Sequence, residues 1–183
     1  LTMLATFDLE RLGRVLTQVP EDHFAAMTRD LAQTMSAVPD MAAAKKVLRK
    51  YKTEVAVLTA LADLGGVWPV MTVTRVLSEC ADAAVAAAVR FLFRKATEQG
   101  VWQPPDATAP KQGSGYFVLA MGKLGAFELN YSSDIDLIVF FDREKSRLAG
   151  SGDLQSFFVR LTRDLVVLLD ERTPDGYVFR TDL

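Results

Sequence analysis

Apolar positions in the first hundred residues recur at helical steps. Phe24, Met27 and Leu31 keep that spacing after Pro20, a residue suited to a first helical turn. Leu48, Tyr51, Val55, Leu58 and Ala62 form a long stripe of three- and four-residue steps, closed by Gly65-Gly66. Val73, Val76, Cys80, Ala84, Ala88 and Phe91 form another, with Arg94 and Lys95 near its end and Gly100 beyond it. Opposite the Leu48 stripe lie Lys45, Lys46, Arg49, Lys50 and Lys52. Such a run is most often a solvated face, with a partner-facing surface as the other reading. Residues 1–100 are thus expected to be a helical region.

The pattern breaks at 101–113, where Pro104, Pro105, Pro110 and Gly113 predict a linker or long loop. From 114 the texture changes. An apolar strand runs into a Gly-x-x-Gly turn and a short helical stretch, and a second apolar strand follows. Leu137 through Phe141 is unbroken hydrophobic sequence, which predicts a strand buried on both faces. Leu154, Phe157, Phe158, Leu161, Leu165 and Leu168 predict an amphipathic helix behind a Gly-Ser-Gly-Asp start. Pro174-Asp175-Gly176 marks a turn before a short strand over 177–183. The fold class expected is α+β, with a core at 114–183.

Composition narrows the possibilities. Half of the 183 residues are hydrophobic and the net charge is −2, so no global basic field recruits nucleic acid. No apolar run approaches the ~20 residues of a membrane span, and the N-terminus lacks a signal pattern. Cys80 is the single cysteine and reads as a buried, inert thiol. His23 is the single histidine, so a histidine triad or zinc cluster is not to be had. Trp68 and Trp102 read as core or boundary residues. The chain, starting at Leu1 and stopping at Leu183, is expected to be a piece of a longer cytoplasmic protein, truncated at the C-terminal end of its core.

The candidate chemistry lies in 122–136. Asp134 and Asp136 sit two apart on a strand, so their carboxylates point the same way. Two unpaired carboxylates at the mouth of a buried strand are costly to desolvate, and a divalent cation between them removes that cost. Gly122-Lys123-Leu124-Gly125 offers turn amides for phosphate oxygens, with Lys123 as an added point charge. The turn is neither a Walker A loop nor a dinucleotide fingerprint. Ser132 and Ser133 add donors beside Asp134. Hard oxygen ligands near phosphate suit Mg2+. Asp182 is the candidate third carboxylate, because its strand can pair beside the Asp-x-Asp strand. The alternative is plain turn chemistry, in which Ser-Ser-Asp merely caps a bend.

Gly-Lys-Leu-Gly-Ala-Phe-Glu-Leu-Asn-Tyr-Ser-Ser-Asp-Ile-Asp-Leu resembles the signature of the bacterial glutamine synthetase adenylyltransferases (glutamate-ammonia-ligase adenylyltransferases). The terminal Thr-Pro-Asp-Gly-Tyr-Val-Phe-Arg-Thr-Asp-Leu is similar to the family segment with the third acidic residue, and the stretch from Lys45 to Phe93 also looks like that family. The resemblance implies a nucleotidyltransferase core related to DNA polymerase beta, with a small mixed sheet. Lys123 stands where the wider superfamily usually has Gly or Ser. Family members carry two such domains, one removing AMP from a glutamine synthetase tyrosine by phosphorolysis, the other attaching it from ATP. The form Glu-Leu-Asn-Tyr-Ser-Ser-Asp-Ile-Asp looks more like the N-terminal, adenylyl-removing domain. Implied partners are glutamine synthetase, a nitrogen-signal regulatory protein, phosphate and ATP, ADP or AMP. The forward adenylyltransferase domain and a non-catalytic regulatory module of the same fold are the alternatives.

Overall fold

A computed structural model describes residues 9–146, 148–150 and 152–183. Residues 1–8 of the expected helical region, and Ser151 of the expected lead-in to the last helix, lie outside the described residues. Four helices come first: α1 (Leu9–Thr17), α2 (Pro20–Ala37), α3 (Met41–Leu64) and α4 (Val70–Glu98). There follow β1 (Tyr116–Ala120), the single turn α5 (Gly122–Gly125), β2 (Ile135–Phe141), α6 (Leu154–Asp170) and β3 (Thr181–Asp182). The architecture is α+β with a small mixed sheet of order β1-β2-β3. In it β1 is antiparallel and β3 parallel to β2. Among the described residues no helix is long and apolar enough to cross a membrane.

The stripes become the core. Leu48, Tyr51, Val55, Leu58 and Ala62 of α3 are buried, as are Val73, Val76, Cys80, Ala84, Ala88 and Phe91 of α4. Asp40 caps α3 by accepting the Ala43 amide at 2.9 Å, and Asp153 caps α6 through the Ser156 amide at 2.9 Å. The stretch after Gly100 starts inside this core. Trp102 is buried, stacks on Phe157 (5.6 Å, 7°) and meets Phe93 edge-on at 5.2 Å. Its indole nitrogen donates to the Pro110 carbonyl at 2.8 Å. Tyr116 stacks on Phe158, which also meets Phe141 at 4.6 Å. An aromatic seam therefore joins α4, the loop, the sheet and α6.

Three expectations need correction. The basic run on α3 is not simply solvated. Arg49 is 1% exposed and donates to the carbonyls of Leu168, Glu171 and Gly176 as well as Lys45. Lys45 pairs with Glu171 at 2.7 Å, and Lys52 lies over the Tyr177 ring. Only Lys46 and Lys50 of the run are exposed. The cause is the end of α6 and the turn after it: the guanidinium meets the Leu168, Glu171 and Gly176 carbonyls, while the Leu169 carbonyl takes the Val178 and Phe179 amides. Strand β2, in turn, is buried on one face only: Ile138 is 40% and Phe140 45% exposed, beside Phe117 and Leu119 across the ladder. The helices cover just the face that carries Tyr116, Ile135 and Leu137. The final strand is also short, with only Thr181 and Asp182 paired.

Candidate active site

The antiparallel ladder from Tyr116↔Phe141 to Ala120↔Leu137 runs on one step, the Met121 amide donating to the Asp136 carbonyl at 2.9 Å. The chain then turns at Gly122, which has φ +53°. A Cβ at that position would stand 2.8 Å from Asp136 Oδ2, so the glycine lets the turn close directly on the carboxylate. Gly125 serves packing: a Cβ there would lie 2.5 Å from the Ala120 carbonyl oxygen. Its own amide donates to the Met121 carbonyl at 3.0 Å, so it is already spent. Lys123 is exposed, while buried Leu124 pins the turn beneath the sheet.

The approach to the acidic pair is tied down from below. Ser78 on α4 is fully buried, and its hydroxyl accepts the Leu129 amide at 3.1 Å. The only sequence signal for this role was a hydroxyl within the apolar flank of the Val76–Cys80 stripe. Asn130 Oδ1 then accepts the Ser132 amide at 3.0 Å, and Ser133 Oγ accepts the Asn130 amide at 3.3 Å. Tyr131 donates to Asp63 at 3.2 Å, and partial burial, reinforced by that carboxylate, pushes its hydroxyl up to about 12.

The carboxylates lie on adjacent strands. Asp136 and Asp182 are register partners between β2 and β3, and both are exposed. The pairing foreseen for the last strand is thus present. By alternation Asp134 shares their face, and so do Ile138 and Phe140. Asp134 Oδ1 is closed off from solvent without an aligned hydrogen bond, and its neighbour is Arg180 Nε at 2.5 Å. That contact is an ion pair of charges rather than a well-directed bond. Among the described residues no three potential ligands are already gathered as a metal-binding cluster.

Those features suit a divalent cation. A hard oxygen donor set and a glycine that leaves room beside Asp136 are what such an ion uses, and at Asp134 the ion would take the place that Arg180 holds. Sequence reasoning overlooked Arg180, which only the β2–β3 register brings to Asp134. The other candidates lie elsewhere. His23 Nδ1 sits 2.7 Å from Gln18 Oε1 on α2, and burial with Arg14 nearby lowers its pKa. A cavity of about 620 Å³ lies between α2, α4 and the packed face of the sheet, lined by Met35, Val85, Phe91, Val118 and Leu137. Its lining is mixed, with Asp82, Arg90, Arg94 and Lys111 among the apolar side chains, and none of Asp134, Asp136 and Asp182 lines it.

A family model for glutamate-ammonia ligase adenylyltransferase matches residues 9–183. The chain is 49% identical over 98% of its length to a protein of Bradyrhizobium diazoefficiens named bifunctional glutamine synthetase adenylyltransferase/adenylyl-removing enzyme. Proteins of the same name from Bradyrhizobium sp. BTAi1 and Xanthobacter autotrophicus are 50% and 49% identical over 98% and 94% of the chain. The chain spans 18% of the length of the two Bradyrhizobium relatives and 17% of the Xanthobacter one.

Proposed function

Since the chain belongs to the glutamate-ammonia ligase adenylyltransferase family, we propose that it forms part of the adenylyl-removing site of a bifunctional enzyme. Its substrate is adenylylated glutamine synthetase, and phosphorolysis yields ADP and the unmodified protein. The observation that carries a nucleotidyl-transfer site is the shared face of Asp134, Asp136 and Asp182, closed at its rim by Gly122. The direction rests on the Glu128-to-Asp136 sequence, which resembles the adenylyl-removing form. The protein works in the cytoplasm, with a nitrogen-signal regulatory protein as a further partner.

In this reading Asp134, Asp136 and Asp182 hold a divalent cation, with Mg2+ the best match to the donor set. Bound there, the cation would supply charge neutralisation at the phosphates and stabilisation of the leaving phenolate. Lys123 offers a positive point charge to the phosphate oxygens from the turn, with Gly122, Gly125, Ser132 and Ser133 shaping the same rim. An oxygen of inorganic phosphate bonds to the AMP phosphorus as the bond from phosphorus to the tyrosine oxygen breaks. The tyrosine then takes a proton from water. A phenol has a pKa near 10, so its oxygen leaves as an anion more readily than an alkoxide and needs no strong acid. Phosphate is already anionic near neutrality and needs no dedicated base.

The test is to incubate adenylylated glutamine synthetase with the protein, Mg2+ and inorganic phosphate, and to follow ADP. Phosphate-dependent ADP, lost in the Asp134→Asn/Asp136→Asn double variant, is the expected result. ADP formation that survives in the double variant refutes the site. Pyrophosphate from ATP, with no ADP from the phosphate reaction, assigns the forward direction instead.

A further inference from the structure

Two rungs of side chains cross from β2 to β3 on the open face. The register Ile135↔Thr181 and Asp136↔Asp182, extended one step back, sets Asp134 against Arg180, and the Ile135 amide donates to the Arg180 carbonyl at 2.9 Å. One rung therefore pairs two carboxylates, and the next pairs a carboxylate with a guanidinium at 2.5 Å. Arg180 also donates through Nη2 to the Ser132 carbonyl at 3.4 Å. A guanidinium has five N–H donors in a planar fork, more than these contacts use. Its side chain is 55% exposed, against 40% for Asp134, so it is free to swing outward.

Resting on the reading of this face as a nucleotidyl-transfer site, we propose that Arg180 is a substrate-phosphate ligand kept in reserve on Asp134. Without a cation the ion pair offsets one of three neighbouring negative charges. When Asp134 turns to a divalent cation, the guanidinium is displaced and its fork becomes available to a phosphoanion arriving at the same face. Arginine matches phosphate oxygens two at a time, which a lysine in its place would not. The cation and the anion are thereby coupled: Arg180 competes with the first and attracts the second.

That coupling gives opposite signs for two binding measurements on one variant. Mn2+ binding to the 183-residue chain is read by electron paramagnetic resonance. Phosphate binding is read by the 31P relaxation that the bound Mn2+ induces. In Arg180→Gln the cation should bind about two- to five-fold tighter, the worth of an exposed ion pair removed from competition. Phosphate should bind about ten-fold or more weakly in the same variant. Arg180→Lys should recover the weaker cation binding but only part of the phosphate binding. Thermal melting checks that both variants fold. An arginine that merely props up the site predicts weaker cation binding in Arg180→Gln, and that result, or unchanged phosphate binding, overturns the proposal. Cation binding that is absent from the wild type, or indifferent to Asp136→Asn, instead refutes the site reading itself and takes the proposal with it.

Discussion

Substituting Gly122 by alanine separates a backbone penalty from a functional one. With φ at +53°, an L-residue at this position pays about 1–2 kcal/mol for the left-handed conformation. In a chain of this size that is a fall in melting temperature of about 2–8 °C. The added methyl would also stand 2.8 Å from Asp136 Oδ2, where ordinary contact begins at 3.4 Å, so the carboxylate must recede by about 0.6 Å. A terminal carboxylate yields by rotating, which costs little stability but misplaces the oxygen proposed to hold the cation. Gly100→Ala provides the control, because Gly100 has φ +69° and nothing within 4 Å of a built Cβ. Both variants should lose similar stability. Only Gly122→Ala should lose divalent-cation affinity, on the order of ten- to a hundred-fold, as when a ligand's supporting contact is removed. The readout is Mn2+ titration of the wild type and both variants at one temperature well below their melting points. Equal cation affinity in the two variants would refute the claim that Gly122 is there to leave room for Asp136.

Arg49→Met keeps much of the side-chain volume but strips the guanidinium from the carbonyls of Leu168, Glu171 and Gly176. The Gly176 carbonyl keeps its Thr173 donors, but the Leu168 and Glu171 carbonyls lose theirs, so the urea midpoint should drop by the equivalent of about 1–3 kcal/mol, and a midpoint within error of wild type would show that the clamp is dispensable. Cys80 is buried and its thiol is pushed up to about 12, mainly by desolvation, so it should resist Ellman's reagent at pH 8 until the chain is unfolded. Cys80 and Tyr131, raised from 9.0 and 10.0 to about 12, both favour the protonated form when folded. Their contribution is intact below the unfolded values and disappears as pH rises through the folded ones, so from pH 8 upward stability should hold to about pH 9 and fall between there and pH 12. Urea titrations at pH 8, 10 and 11 measure the slope, and stability that rises over this range would contradict the sign.

The helical half was legible because its signal is one-dimensional. A stripe such as Leu48–Ala62 needs only to face inward, and α3 and α4 do so whatever they meet. The strand–turn–strand unit was legible for a similar reason: two apolar runs, glycines and an Asp-x-Asp pair are all local. What escaped depends on the partner. Arg49 looks like its lysine neighbours until the end of α6 arrives beside it, 119 or more residues away in sequence. Ile138 and Phe140 carry the same apolar code as Ile135 and Leu137, and only the side taken by the helices tells them apart. Arg180 faces Asp134 by virtue of a two-residue strand whose register no local pattern announces.

The aromatic seam through Phe93, Trp102, Phe157 and Phe158 bears on how the chain comes apart. Those rings belong to the long helix before the loop, the loop itself and the helix behind the acidic strands, so none of the three can be peeled away without wetting the others. On heating, α4, the loop and α6 should therefore melt together. For protein engineering, a fragment of the acidic face that begins after the loop would bare Phe157 and Phe158 where Phe93 and Trp102 cover them.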